Sequence, residues 1–201
     1  ARARVVQGKP RYLSMVAGVE EEGVDAVCMV GYHSRAQGRG ILAHTINSFA
    51  FAGIRLGEQE LGEAGLYGAL AGEYGVPVVM ASGDDVFIAE NRTLFPHATF
   101  VQTKRATGFN SGVSLSPEQS RDAIRVGVAE ALAARGNARP LVFKGPQVVT
   151  LRTQSPMMAD LFCQWPSFER VDGVTLRFSA ETVEAAVRML NCCSAMSSML
   201  R

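Results

Sequence analysis

The stretch Val24-Asp25-Ala26-Val27-Cys28-Met29-Val30-Gly31-Tyr32 decides how this 201-residue sequence folds. It is a short apolar run rich in β-branched residues, which is typical of a strand that is buried on both faces. A second such run, Val76-Pro77-Val78-Val79-Met80-Ala81, comes after a predicted helix over residues 61–74. Strands that alternate with helices in this way indicate an α/β architecture with a mainly parallel sheet flanked by helices.

Three further helices are predicted in the same part of the chain. Residues 13–22 lead into the first strand, residues 86–94 follow a predicted turn over 82–85, and a third helix runs from a capping box at Ser116-Pro117-Glu118-Gln119 to about Ala134. The helix over 61–74 is rich in glycine, and each glycine costs about 1 kcal/mol of helix propensity relative to alanine. We therefore expect this helix to pack closely against another stretch of backbone.

The remainder of the chain has a different organisation. Residues 148–152 and 174–178 are predicted strands, and the second alternates in polarity as a half-buried strand does. Ser155-Pro156 begins a short helix, and Ser179 is expected to cap a last helix that ends near Leu190. The pattern predicts an α/β body over residues 1–140 and a smaller C-terminal α+β lobe over residues 141–201.

Composition excludes several classes of function. Hydrophobic residues make up 47% of the chain, charged residues 19%, and the net charge is +1, so a soluble globular protein without a nucleic-acid partner is expected. No run of about 18 apolar residues predicts a membrane span, and no apolar signal-peptide core follows the basic start, so we expect a cytoplasmic location. The four cysteines are expected to be reduced, buried thiols.

Candidate chemical groups fall at the carboxyl ends of the predicted strands, where parallel sheets bind ligands. His33 and Asp84-Asp85 follow strands, His44 lies shortly after a loop, and Glu63 begins the glycine-rich helix. Imidazole nitrogen and carboxylate oxygen are good zinc ligands, so His33 and Glu63 could bind a metal while His44 transfers a proton or stabilises an oxyanion. From spacing alone, a histidine after a strand is more often a plain loop residue, and a glutamate at a helix start more often complements the helix dipole.

Other catalytic motifs are missing from the sequence. Gly38-Arg39-Gly40 lacks the third glycine and the setting of a dinucleotide-binding turn, and there is no Walker motif. No Gly-x-Ser-x-Gly nucleophile motif is present either. His97 is expected to be a surface loop residue.

Several stretches, in one order, resemble the bacterial zinc-dependent D-aminopeptidases of the dipeptide-transport operon. They are Gly31-Tyr32-His33-Ser34-Arg35-Ala36, Ala43-His44-Thr45, Gly62-Glu63-Ala64-Gly65-Leu66, Val76 to Asp85, Lys104, and Leu115-Ser116-Pro117. The resemblance runs from about residue 4 to residue 134 and continues more faintly beyond.

This resemblance implies a role for each matching residue. His33 and Glu63 match zinc ligands of a two-zinc site, and His44 matches the histidine taken as catalytic. Asp84, Asp85 and Lys104 match positions near the pocket. The implied activity is zinc-dependent hydrolysis of short peptides with an N-terminal D-residue, by a homo-oligomer.

One departure from the family pattern bears on activity. The family's N-terminal Asp-x-Glu motif and a further ligand histidine are not found in this sequence, so the chain resembles a family member without its N-terminal portion. We therefore expect it to bind zinc poorly and to hydrolyse peptides weakly until that portion is restored. A non-catalytic α/β binding or assembly protein derived from the family is the alternative interpretation.

Overall fold

The structure is a computed structural model that describes residues 3–9 and 11–201. It contains two sheets with helices packed against them. The strands are β1 Val27–Met29, β2 Phe51–Leu56, β3 Gln59–Leu61, β4 Val78–Asp84, β5 Thr99–Gly108, β6 Ser111–Ser114, β7 Gln147–Thr153, β8 Glu169–Arg170 and β9 Thr175–Ala180. The α-helices are α1 Glu63–Glu73, α2 Asp85–Asn91, α3 Pro117–Ala133, α4 Pro156–Phe162 and α5 Val183–Met196.

The first sheet has the strand order β1-β4-β5-β6 and confirms the predicted α/β class. Strands β1, β4 and β5 run parallel, and β6 returns antiparallel to β5. Every residue of β4 is buried because this strand lies in the middle of the sheet with helices on both faces. The carboxyl ends of β1 and β4 therefore lie side by side at one edge, which is where His33 and Asp84 were expected.

The second sheet is antiparallel throughout, with the order β3-β2-β7-β9-β8. Its central pairing joins β2 to β7 and places Ile54 opposite Leu151. Strand β9 alternates between buried and more exposed side chains, as predicted. This sheet takes strands from both sides of residue 140, and the division into a body over 1–140 and a lobe over 141–201 stays a prediction.

Helix α1 is buried along almost its entire length, from Glu63 to Gly72. Close packing against backbone, which its glycines predicted, is confirmed at Gly72. A Cβ atom there would lie 1.9 Å from the main-chain oxygen of Leu141. Glycine is therefore required for the approach of α1 to the segment before β7, and this approach fixes the helix that carries Glu63.

The predicted caps at Ser116 and Ser155 both form. Ser116 Oγ accepts a hydrogen bond from the amide of Gln119, while the Gln119 side chain accepts from the amide of Ser116. Ser155 caps α4 in the same way through the amide of Met158. Among the residues described, none of the helices combines the length and the apolar character needed to cross a membrane.

Several predictions of local structure are wrong. The first strand was predicted to be buried on both faces, but β1 lies at the edge of its sheet and only Met29 in it is buried. The last helix ends at Met196 and not near Leu190. Residues 13–22 contain only a 3₁₀ turn at Ser14–Val16 followed by turns, because Gly18 has a φ of +112°, which a right-handed helix does not accommodate. The predicted turn over 82–85 is instead the end of β4, which stays paired to β5 as far as Asp84. Thr182, and not Ser179, caps the last helix because β9 continues through Ala180.

The cysteines are free thiols, but the prediction that all of them are buried is wrong. Cys193 is buried on the inner face of α5, whereas Cys28 and Cys192 are exposed. Cys28 is exposed because β1 is an edge strand, and Cys192 because it lies on the outer side of its helix.

Candidate metal centre and active site

The candidate site is built on the histidine loop, residues 33–46, which leaves the carboxyl end of β1. The main chain just before it is held against β4, because the amide of Tyr32 donates to the carbonyl oxygen of Ser82 at 3.0 Å. The loop then folds back on itself, and the amide of His44 donates to the carbonyl oxygen of Ser34 at 3.1 Å. This return brings the two histidines, which are eleven positions apart in the sequence, next to each other.

The rings of His33 and His44 lie with their centroids 5.1 Å apart. The Nδ1 atom of His33 is 2.8 Å from the carbonyl oxygen of Ile41, and the Nδ1 atom of His44 is 2.8 Å from that of Leu42. A carbonyl oxygen can only accept a hydrogen bond, so each Nδ1 atom carries the hydrogen. In the neutral rings the lone pair is then on Nε2, the atom that remains available for a metal or a proton.

Glu63 faces the His44 ring from the first turn of α1. Its side chain is largely buried, Oε1 accepts a hydrogen bond from the amide of Ile46 at 3.0 Å, and Oε2 lies 3.8 Å from His44 Nε2. The carboxylate is therefore tied to the end of the histidine loop. The structure thus places His44 next to His33 and next to Glu63, while the shared metal-binding role of His33 and Glu63 stays a prediction.

The other three candidate residues have different surroundings. Asp84 is 1% exposed, and its carboxylate accepts hydrogen bonds from the amides of Phe87 and Ile41, both at 2.7 Å. Asp85 accepts from the amide of Ala106 at 2.7 Å. Lys104 lies half-buried in β5, in register with Asp84 on the neighbouring strand. Both carboxylates thus accept hydrogen bonds from main-chain amides, and one of those that Asp84 accepts comes from Ile41 in the histidine loop.

Sequence reasoning missed a second group of residues that supports the loop. Both carboxylate oxygens of Glu90 accept from the amide of Arg35, at 3.1 and 3.2 Å, and the Arg35 guanidinium pairs with the same carboxylate. Burial raises the pKa of Glu90, and the positive charge of Arg35 opposes that effect. No motif marks this contact, because it depends on a main-chain amide 55 positions away.

Tyr32, which precedes the first histidine, is a partly buried, uncharged side chain near Glu63. Burial, and after it the negative charge of Glu63, raise the pKa of this tyrosine. Its ring packs 6.3 Å from that of Phe87. The phenol therefore stays neutral across the physiological range and adds no charge beside Glu63.

The chemistry of these groups fits part of a zinc site. Histidine and carboxylate are the ligands that zinc prefers, and metal-binding histidines commonly donate their other ring N–H to a backbone carbonyl, as both histidines do here. The number of ligands is small: within residues 3–9 and 11–201, no group of three or more histidine, cysteine, aspartate or glutamate side chains is arranged to hold a metal ion. The side-chain chemistry of His33 and Glu63 therefore suits zinc, while their role as ligands stays a prediction.

Comparison with known proteins places this chain among the peptidases. A family model described as Peptidase_M55, D-aminopeptidase, matches residues 1–192, and the chain belongs to this family. A D-aminopeptidase of Bacillus subtilis (strain 168) is 28% identical over 190 residues, which cover 94% of this chain and 69% of the relative.

A solved structure extends the likeness to the fold. It is described as the Zn-dependent D-aminopeptidase DppA from Bacillus subtilis, a self-compartmentalizing protease. The two structures agree with a TM-score of 0.88 at 25% identity, over 96% of this chain and 70% of that chain. The predicted family and the α/β class are confirmed, and the protein is a D-aminopeptidase-like hydrolase by family.

Proposed function

We propose that this chain acts on short peptides whose N-terminal residue has the D configuration, and that it cleaves them with zinc held in part by His33 and Glu63. The observation that carries the proposal is the contact of His44 with both the His33 ring and the Glu63 carboxylate, with the Nε2 atoms of both histidines left available. The family and the zinc dependence of the structural neighbour support it. Zinc, when bound, supplies Lewis-acid activation of water and of the scissile carbonyl.

His44 has the geometry of a general acid and base. Its Nδ1–H is held by the Leu42 carbonyl oxygen, so Nε2 can accept a proton from the attacking water and then donate it to the leaving amine. Glu63 Oε2, 3.8 Å away, stabilises the ring while it carries that proton. The largely buried position of Glu63 strengthens this effect, because few water molecules screen the two charges.

The hydrolysis of D-alanyl p-nitroanilide, with the L-alanyl compound as the stereochemical control, tests this proposal. With zinc supplied, His44→Ala is expected to lower kcat/KM by about 10²–10⁴-fold, which is the usual contribution of a general acid or base. His97→Ala is the matched control, because His97 is on an exposed loop and should leave the rate unchanged. Equal rates for the His44→Ala and wild-type proteins would refute the assignment of His44.

The scarcity of ligands favours the second candidate function, a binding or assembly protein that retains the family fold without turnover. A catalytic zinc usually takes three protein ligands, and only His33 and Glu63 are proposed here. We therefore expect the purified 201-residue chain to hold zinc weakly. Metal analysis after dialysis separates the two functions: full zinc occupancy together with turnover supports the enzyme, and absence of both with excess zinc supports the binding protein.

We also propose that the chain assembles with copies of itself. The structural neighbour is described as self-compartmentalizing, and the β5–β6 hairpin of this chain presents exposed apolar side chains, with Phe109 53% and Val113 59% exposed. Apolar side chains clustered on a projecting hairpin are typical of an interaction surface. Sedimentation velocity at micromolar concentration should show a homo-oligomer, and a single monomeric species would refute this part of the proposal.

A further inference from the structure

The carboxylate of Asp84 caps a helix and also binds a second main-chain amide. At the end of β4, Oδ1 accepts the amide of Phe87 and caps α2, which is a common role that a serine also fulfils. The second oxygen, Oδ2, accepts the amide of Ile41 at 2.7 Å, although Ile41 is 43 positions earlier in the chain. A buried aspartate is thus used where the cap requires only one oxygen.

The contact of Oδ2 leads directly to His33. The N–H group of Ile41 is held by Asp84, and the C=O group of the same residue accepts the hydrogen of His33 Nδ1 at 2.8 Å. Hydrogen bonds to an ionised carboxylate are shorter and stronger than those between neutral groups. The position of the Ile41 carbonyl, and with it the orientation of the His33 ring, therefore depends on Asp84 together with the Phe109 carbonyl oxygen, which accepts from the Leu42 amide of the same peptide unit at 2.8 Å.

The next residue, Leu42, makes equivalent main-chain contacts on the side of His44. The amide of Leu42 donates to the carbonyl oxygen of Phe109 at 2.8 Å, and the carbonyl oxygen of Leu42 accepts from His44 Nδ1. Leu42 has a φ of +53°, a left-handed conformation that a leucine adopts only where its surroundings hold it. The Leu42 N–H and the Ile41 carbonyl belong to one planar peptide unit, so the Phe109 contact helps to hold both histidines, whereas the Asp84 contact lies on the His33 side alone. His44 can therefore serve as an internal reference for the loss of the Asp84 contact.

The space around Gly40 shows how closely the histidine loop approaches Asp84. A Cβ atom at Gly40 would lie 2.3 Å from Ser34 Oγ and 2.9 Å from Asp84 Oδ2. A methyl group there requires the Ser34 hydroxyl, the Asp84 carboxylate or the loop itself to shift. Substitution of Gly40 therefore disturbs the same contact while Asp84 itself stays intact.

From these contacts we propose that Asp84 is a positioning residue, which fixes the His33 ring in one tautomer and one orientation through the main chain of Ile41. The metal-binding part of this role rests on the proposed function, whereas the fixed tautomer does not. Asp84 contacts neither substrate nor metal in this role; it acts on the reaction through His33 alone.

The test uses the full chain labelled with ¹⁵N-histidine, and NMR reads the tautomer of each ring. Asp84→Ser retains one oxygen to cap α2 but cannot reach Ile41. We expect the His33 signals to change from a single tautomer with hydrogen on Nδ1 to a mixture, while the His44 signals stay unchanged. Asp122→Ser is the matched control, because Asp122 is exposed on α3, and it should leave both rings unchanged.

Activity provides an independent measurement. Loss of a residue that orients a metal ligand commonly costs 10 to 100-fold, so kcat/KM for the D-alanyl substrate should fall by about that factor in Asp84→Ser, measured with excess zinc. If Asp84→Ser does not fold, Gly40→Ala tests the same contact and should give the same mixture of His33 tautomers. A folded variant of either kind that keeps a single His33 tautomer would overturn the proposal.

The positioning role of Asp84 and the proposed function can be refuted separately. A tautomer change in Asp84→Ser, in a protein that never cleaves D-peptides, supports the positioning role and refutes the proposed function. Full activity in the wild-type protein, with no change at His33 in either variant, refutes the positioning role and leaves the function standing.

Discussion

Gly72→Ala is expected to destabilise the protein although alanine is the better helix former. The added Cβ atom would lie 1.9 Å from the carbonyl oxygen of Leu141 and 2.8 Å from its carbonyl carbon, and both of these are backbone atoms. Relief of the contact requires α1 and the segment before β7 to separate by about 1 Å or more, since non-bonded heavy atoms prefer roughly 3.5 Å.

The size of the effect follows from two opposing contributions. Overpacking a close-packed interior costs about 1–3 kcal/mol and occasionally more, and a collision with backbone belongs at the upper end of that range. Alanine recovers about 1 kcal/mol of helix propensity. The free energy of unfolding should therefore fall by about 2 kcal/mol, which for a chain of this size lowers Tm by about 4–8 °C.

Thermal unfolding followed by circular dichroism measures this difference. Gly136→Ala is the matched control: a Cβ atom there meets nothing within 4 Å, so its Tm should change little. Because α1 carries Glu63 at its other end, Gly72→Ala should also reduce the hydrolysis of the D-alanyl substrate at temperatures where the variant is folded. A Tm for Gly72→Ala equal to or above that of the wild type would refute the packing argument.

Three further outcomes are expected. Iodoacetamide at pH 8, followed by mass spectrometry, should label Cys192 and, more slowly, Cys28. Cys193 should not be labelled, because burial raises the pKa of its thiol to about 12. Rapid labelling of Cys193 in the folded chain would contradict its burial. Burial raises the pKa of Glu90 in the folded state, so this group contributes stability that is fully present below its unfolded pKa and is lost as the pH rises through the folded value. Denaturant titrations between pH 4 and 7 should therefore show a smaller loss of stability with rising pH in Glu90→Gln than in the wild type, and parallel curves would exclude this contribution. Dialysis against a chelator should abolish D-peptide hydrolysis and added zinc should restore it, whereas activity that survives complete removal of the metal would exclude zinc from the reaction.

The sequence predicts the structure well where the local residue types themselves favour one kind of element. The apolar runs predicted β1 and β4, the capping box predicted the start of α3, and the strand-end rule brought His33 to the rim of the sheet. The proximity of His44 and Glu63 came from the family resemblance, because neither residue has a spacing that marks a metal site. Their contact distance then follows from the folding of the histidine loop.

Other parts of the structure depend on groups that have no sequence signature. The carbonyl oxygens of Ile41 and Leu42, which orient both rings, belong to the main chain. Leu42 and Ile46 adopt positive φ values although neither is a glycine, so the residue types at these positions do not predict the turns of the loop. Strands β2 and β5 were missed for a related reason: Gly53 interrupts the alternation of β2, and β5 extends into an exposed hairpin where no face is consistently buried.

The pairing of β2 with β7 determines when the candidate site can form as the chain is synthesised. The two strands are about 100 residues apart, and at about 5–20 residues per second the second emerges roughly 5–20 s after the first. During that interval β2 has only β3 as a partner, and a two-stranded hairpin is marginally stable by itself. His44 precedes this hairpin and Glu63 follows it, so the distance between them depends on a hairpin that gains its second partner only after β7 has been synthesised.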